Sequence, residues 1–120
     1  MSSSWQYEPR RQRNYLSSWT LQLAAHYNDD VATGEMVERY YEVLEWYKEM
    51  FPKKRSMDYP TFDVQATGIQ RWDHRMKAFG RSFGYRNIFS ISVKLPTDAD
   101  DIAFRMRFAP NGYIDLSQQQ

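Results

Sequence analysis

There is no cysteine among the 120 residues of this chain. That absence excludes a disulfide framework, a thiolate nucleophile and a cysteine-based zinc or iron site. It fits a reducing compartment, and a cytoplasmic or otherwise intracellular location is the expectation. Histidine is scarce as well, with His26 and His74 the only two, so imidazole chemistry has little to draw on. Long apolar runs are missing. No stretch approaches the roughly 18 apolar residues of a membrane span, and the opening MSSSWQYEPRRQRN has no apolar leader core. No membrane partner is expected. Neither sign of charge is in excess: 16 basic and 15 acidic residues give a formal net charge of +1, so no global field steers the chain toward nucleic acid or membrane.

What the chain does have is aromatic mass. Nine Tyr, seven Phe and four Trp make 17% of the residues, against an ordinary 42% hydrophobic and 26% charged, which predicts an aromatic-rich core. The length suits one domain with its own core. Residues 1–13 carry Pro9, Arg10, Arg11 and Arg13, with Trp5 and Tyr7 the only large apolar groups, and read as a flexible basic arm. Residues 14–117 are expected to form a single α+β domain, and 118–120 a polar tail.

Within that domain the periodicity predicts three helices. Leu16, Trp19, Leu23, Ala24 and Tyr27 recur at helical spacing over about 15–27, with Asn14 placed as an N-cap. A second helix runs from about Thr33 until Pro52 stops it, with Met36, Val37, Tyr40, Val43, Leu44, Tyr47, Met50 and Phe51 on one face. A third, from about Gly68 to Phe79, carries Ile69, Trp72, Met76 and Phe79 along one stripe and ends at Gly80. PKKRSMDYP, 52–60, reads as a loop, and TFDVQ, 61–65, is a candidate short strand.

The last third changes to a period of two. Phe89, Ile91, Val93 and Leu95 alternate with Ser90, Ser92 and Lys94; Ile102, Phe104, Met106 and Phe108 alternate with Ala103, Arg105, Arg107 and Ala109. PTDADD connects them, and Pro110, Asn111 and Gly112 turn into a final strand at 113–116. The expected fold is therefore α+β, about three helices on one face of a small C-terminal antiparallel sheet, a three-stranded meander with room for a fourth short strand.

Motifs for catalysis are weak. GRSFG, 80–84, matches G-x-S-x-G, but a nucleophile elbow needs a strand before Ser82 and a helix after it, the reverse of the expected order. His26 reads as a core-edge residue. His74 adjoins Asp73, yet neighbours on a helix diverge by about 100° and form no dyad. Asp98, Asp100 and Asp101 lack the glycine and distal glutamate of a calcium loop. The expectation is a chain without catalytic residues, metal or cofactor.

Charge is instead sorted along the sequence. Residues 29–51 hold seven acidic and two basic side chains, and residues 71–86 five basic and one acidic; Lys53, Lys54 and Arg55 form a further basic run. Glu35, Glu38, Glu42, Glu45 and Glu49 recur every three or four residues, opposite the apolar face of the second helix, with Trp46 and Tyr41 outside that face. The leading expectation is a non-catalytic protein-binding module, regulatory or accessory to an assembly, that offers Glu38, Tyr41, Glu42, Glu45, Trp46 and Glu49 to a basic protein or to a second copy. The alternative is single-stranded nucleic-acid binding through Arg71, Arg75, Lys77, Lys94, Arg105 and Arg107. A small enzyme with no recognisable motif is the third.

Overall fold

The computed structural model describes residues 4–9, 17–26, 29–65, 69–79 and 86–118. In chain order these form β1 (Trp5–Glu8), β2 (Ser17–His26), α1 (Asp30–Met50), a 3-10 turn (Ser56–Asp58), β3 (Thr61–Gln65), β4 (Ile69–Arg71), β5 (Arg86–Leu95), α2 (Asp98–Phe108), β6 (Ile114–Asp115) and a closing 3-10 turn (Leu116–Gln118). The six strands make one mixed sheet in the order β4-β3-β5-β2-β1-β6. β1 pairs antiparallel with β2, β3 antiparallel with β4, and β1 parallel with β6. No helix among the described residues is long and apolar enough to cross a membrane.

The expected three helices on a small C-terminal meander are thus replaced by two helices and a six-stranded mixed sheet drawn from the whole chain. Three segments changed type. The segment read as a first helix is β2, whose inward residues Ser17, Trp19, Leu21 and Ala25 alternate along the strand. A serine at an inward position hid that alternation. It is buried because its hydroxyl has a buried acceptor, Asp101. The segment read as a third helix is β4 followed by a turn closed by a bridge between Asp73 and Ala78. There the Asp73 carboxylate accepts from the backbone N–H groups of Arg75 (2.8 Å) and Met76 (3.2 Å), a local bond that competes with helix. Lys77 takes φ of 51°, and Ile69 and Met76 are exposed.

The segment read as a second meander strand is α2. Phe104 and Phe108, four apart, turn inward with Asp101, while Ile102 and Met106 face solvent. Its start is signalled by Thr97, whose hydroxyl accepts from Asp100 N–H at 3.1 Å and donates to the Asp100 carboxylate at 2.7 Å. Asp98, Asp100 and Asp101 fill its first turn and Arg105 and Arg107 its last, the order the helix dipole favours. The expected strand at 113–116 shrinks to the two residues of β6, parallel to β1. Gly112 precedes it at φ of 139°, a backbone conformation that side-chain-bearing residues rarely adopt. The expected second helix, TFDVQ strand and 89–95 strand stand as α1, β3 and part of β5.

The chain forms two compact units. In the first, Met1–Leu21 with Ser92–Gln120, Trp5 meets Phe104 edge-on at 5.1 Å and Trp19 lies 5.3 Å from the same ring, so α2 is held to β1 and β2 through Phe104. Four residues of the segment read as a basic arm, Trp5–Glu8, form β1 here; Arg10, Arg11 and Arg13 lie outside the described residues. In the second unit, Gln22–Ile91, α1 starts at Asp29, which accepts from Ala32 N–H at 2.9 Å. It buries Met36, Tyr40, Val43, Leu44 and Tyr47. Tyr40 stacks on Phe62 of β3 at 5.2 Å, and Phe62, Trp72, Phe79 and Phe89 continue the aromatic core.

Candidate functional site

The second unit contains a cavity of about 470 Å³, within the roughly 300–1,000 Å³ of small-molecule sites. α1 supplies Tyr40, Tyr41, Leu44 and Lys48, the residues about the 3-10 turn supply Met57, Tyr59 and Pro60, and β3 supplies Phe62. Arg71 and Trp72, at and just beyond the end of β4, and His74 in the turn that follows close the ring. Adjacent helical residues diverge by about 100°, which divides the work of the tyrosine pair. Tyr40 points inward at 2% exposure. Tyr41, half-buried, reaches across to Trp72, whose Nε1–H donates to the Tyr41 hydroxyl at 3.1 Å.

The Tyr40 hydroxyl lies 3.2 Å from both the Pro60 carbonyl and His74 Nε2. It has one proton to give. When it donates to Pro60, His74 Nε2 must be the donor in the other contact. Burial pushes the Tyr40 pKa up to about 12, with the neighbouring Tyr41 and then Asp63 adding to the effect and Arg71 opposing it. The rings of Tyr40, Tyr41 and His74 stand 5.4–6.3 Å apart.

Electrostatically the lining is one-sided. Lys48 and Arg71 contribute positive charge, His74 adds a polar ring, and no carboxylate lines it among the described residues. Lys48 is shared with Glu45 at 3.8 Å and stands 5.8 Å above the Tyr59 ring. Arg71 uses Nε on Asp63 at 3.0 Å, its side chain 70% exposed and its terminal nitrogens without a bond among the described residues. The arrangement offers flat apolar walls and a positive rim.

The residues anticipated for protein binding divide. Glu38, Glu42, Glu45 and Glu49 are exposed on α1 as read, with Glu42 paired to Arg39 and Glu45 to Lys48 along the same helix. Tyr41 belongs to the cavity. Trp46 is half-buried, its ring 6.4 Å from Phe51. The residues anticipated for nucleic acid divide too: Arg71, Arg75 and Lys77 lie in the second unit, Lys94, Arg105 and Arg107 in the first. Lys94 is exposed on β5, whereas Arg105 and Arg107 belong to α2 and not to a sheet face.

Arg105 has a structural occupation. Its Nη2 donates to Asp101 Oδ2 at 2.9 Å, while Asp101 Oδ1 accepts from Ser17 Oγ (2.9 Å) and Trp19 Nε1 (2.6 Å). The guanidinium stands 4.9 Å from the Tyr113 ring, 5.6 Å from Tyr7 and 5.7 Å from Trp19. Burial, and then the Asp101 charge, raise the Tyr7 pKa.

His26 is exposed at the end of β2. Ser82, Phe83, Tyr85, Gly80 and Gly84 lie outside the described residues. Among the described residues no three metal-ligating side chains gather. Sequence reasoning assigned Tyr40 and Trp72 to the core and His74 to a basic helix face, and so missed the cavity. The available signal was the YY pair at 40–41, one ring more than a single buried stripe can use. No family model, curated protein or solved structure matches the chain.

Proposed function

We propose that this chain is a non-catalytic binding module whose second unit takes a flat, negatively charged group in the cavity beside α1. One observation carries the reading: aromatic walls from Tyr40, Tyr41, Tyr59 and Trp72 coincide with the cations Lys48 and Arg71, beside His74, on a lining that has no carboxylate among the described residues. Apolar walls with a few placed charges are what a small-ligand site requires. The raised Tyr40 pKa favours binding over proton transfer, because it moves the hydroxyl away from neutral pH, where a general acid or base works best. The glutamate face of α1 supports the protein-docking reading less well. Glu42 is paired with Arg39 along the helix, and Trp46 is half-buried.

The test compares ligands matched in shape and differing in charge, phenyl phosphate against phenol and benzoate against benzamide, by thermal shift and calorimetry. The anions are expected to bind at least about tenfold more tightly and to raise Tm. Arg71→Ala, an exposed change, is expected to erase most of that difference. Equal binding of charged and neutral members, or none of either, would overturn the reading.

A further inference from the structure

We infer that the natural occupant of this cavity is an unpaired base of a single-stranded nucleic acid, with the neighbouring phosphates held by cations that flank the lining. The inference rests on the cavity reading and adds the class of ligand. Its basis is the chain on either side of the lining residues. Lys53, Lys54 and Arg55 run directly into Ser56 and Met57, which line the cavity, and Arg75 and Lys77 follow His74, which also lines it. All five are exposed, and none has an ion pair among the described residues.

A small anion is satisfied by the lining cations alone and leaves these five without a role. A strand, with a phosphate at every nucleotide, uses both groups at once. The acidic residues of the same stretch do not cancel them. From Lys53 to Lys77 there are six Lys and Arg residues against three acidic ones, Asp58, Asp63 and Asp73, so the stretch keeps a net charge of +3.

The walls favour a base over another flat group attached to a polyanion. Tyr41 and Trp72 meet edge-to-face at 6.4 Å, and the Tyr41 hydroxyl is already held by Trp72, so the Tyr41 ring is fixed in place at no further entropic cost on binding. Stacking on such a ring tolerates any base, because each has a π-face. A base paired inside a duplex cannot enter, so the site selects single strands. Arg105 and Arg107, anticipated as phosphate contacts, have no part in it.

The experiment is fluorescence anisotropy of a short labelled oligodeoxythymidine titrated with the full chain at about 50 and 200 mM salt. The same-length abasic strand, a duplex and free thymidine monophosphate serve as competitors. The intact strand is expected to bind, and to weaken about a hundredfold over that salt range if about five phosphates are neutralised. The abasic strand and the duplex are each expected to compete at least about tenfold less well. Tyr41→Ala should lose about tenfold with the salt dependence unchanged, and Tyr41→Phe, which keeps the ring but gives up the bond from Trp72, should lose clearly less than Tyr41→Ala. Lys53→Glu with Lys54→Glu should instead flatten the salt dependence.

Equal binding of intact and abasic strands overturns the inference, since the cavity then takes no base. Failure of every oligonucleotide while phenyl phosphate still raises Tm overturns the inference and leaves the cavity reading standing; failure of both probes removes both.

Discussion

Asp101 is the residue on which the first unit turns. Its carboxylate is 8% exposed and accepts from Ser17, Trp19 and Arg105, partners 84, 82 and 4 residues away. Replacing it by Ala strands two buried donors and an arginine whose Nε already lacks a partner. The expected loss is about 2–4 kcal/mol, below the roughly 3–5 of a fully buried ion pair because Arg105 keeps some access to water. Denaturant titration measures it, and a loss under about 0.5 kcal/mol would show that the carboxylate is not the hub. Tyr40 plays the matching part in the second unit, and its prediction concerns pH. Its folded pKa is raised, so the unfolded chain ionises first. The contribution to stability is whole below pH 10.0, the ordinary tyrosine value, and is lost as pH climbs through about 12. Tyrosinate absorbance should show a late-titrating group that Tyr40→Phe removes, together with part of the alkaline fall in Tm. Ionisation of every tyrosine near pH 10 would contradict this.

Among the elements, α1 was legible because its signals agree. Asp29 caps it, Pro52 follows its end, and Met36, Tyr40, Val43, Leu44 and Tyr47 keep helical spacing on a buried face. In α2 the signals conflicted. Apolar Ile102, Phe104, Met106 and Phe108 alternate as in a strand, yet only the two phenylalanines are buried. The cap at Thr97 and the ordered charges of the first and last turns were in the sequence and marked a helix. Local capping outweighed a pattern that four residues can produce by chance. β2 failed in the opposite sense. Its inward Ser17 disguised a period of two, and its burial depends on a carboxylate 84 residues away, which no local window contains.

At the scale of the whole molecule, the two ends of the described chain meet. β1 and β6 pair in parallel within the first unit, and Trp5, at 5% exposure, packs on Phe104 and Phe108 of α2. Trp5 of β1 is then part of the core of the first unit. Trp5→Ala is expected to cost about 3–5 kcal/mol, read by denaturant unfolding, and removal of residues 1–8 should cost at least as much. A flexible arm would give nearly no change in either. Net charge of +1 likewise describes no region of the molecule. The ion pairs along α1 are exposed, so salt should act on binding far more than on stability.

Composition, charge sorting, α1, β3 and the 89–95 strand were determined by the sequence itself, because each depends on residues within one turn or one pleat of each other. The cavity, the Tyr40–His74 contact, the Asp101 hub and the pairing of β1 with β6 were decided by the tertiary structure. Each joins groups that are distant along the chain, and a side chain's hydrogen-bond partners and access to water are set by what folds against it.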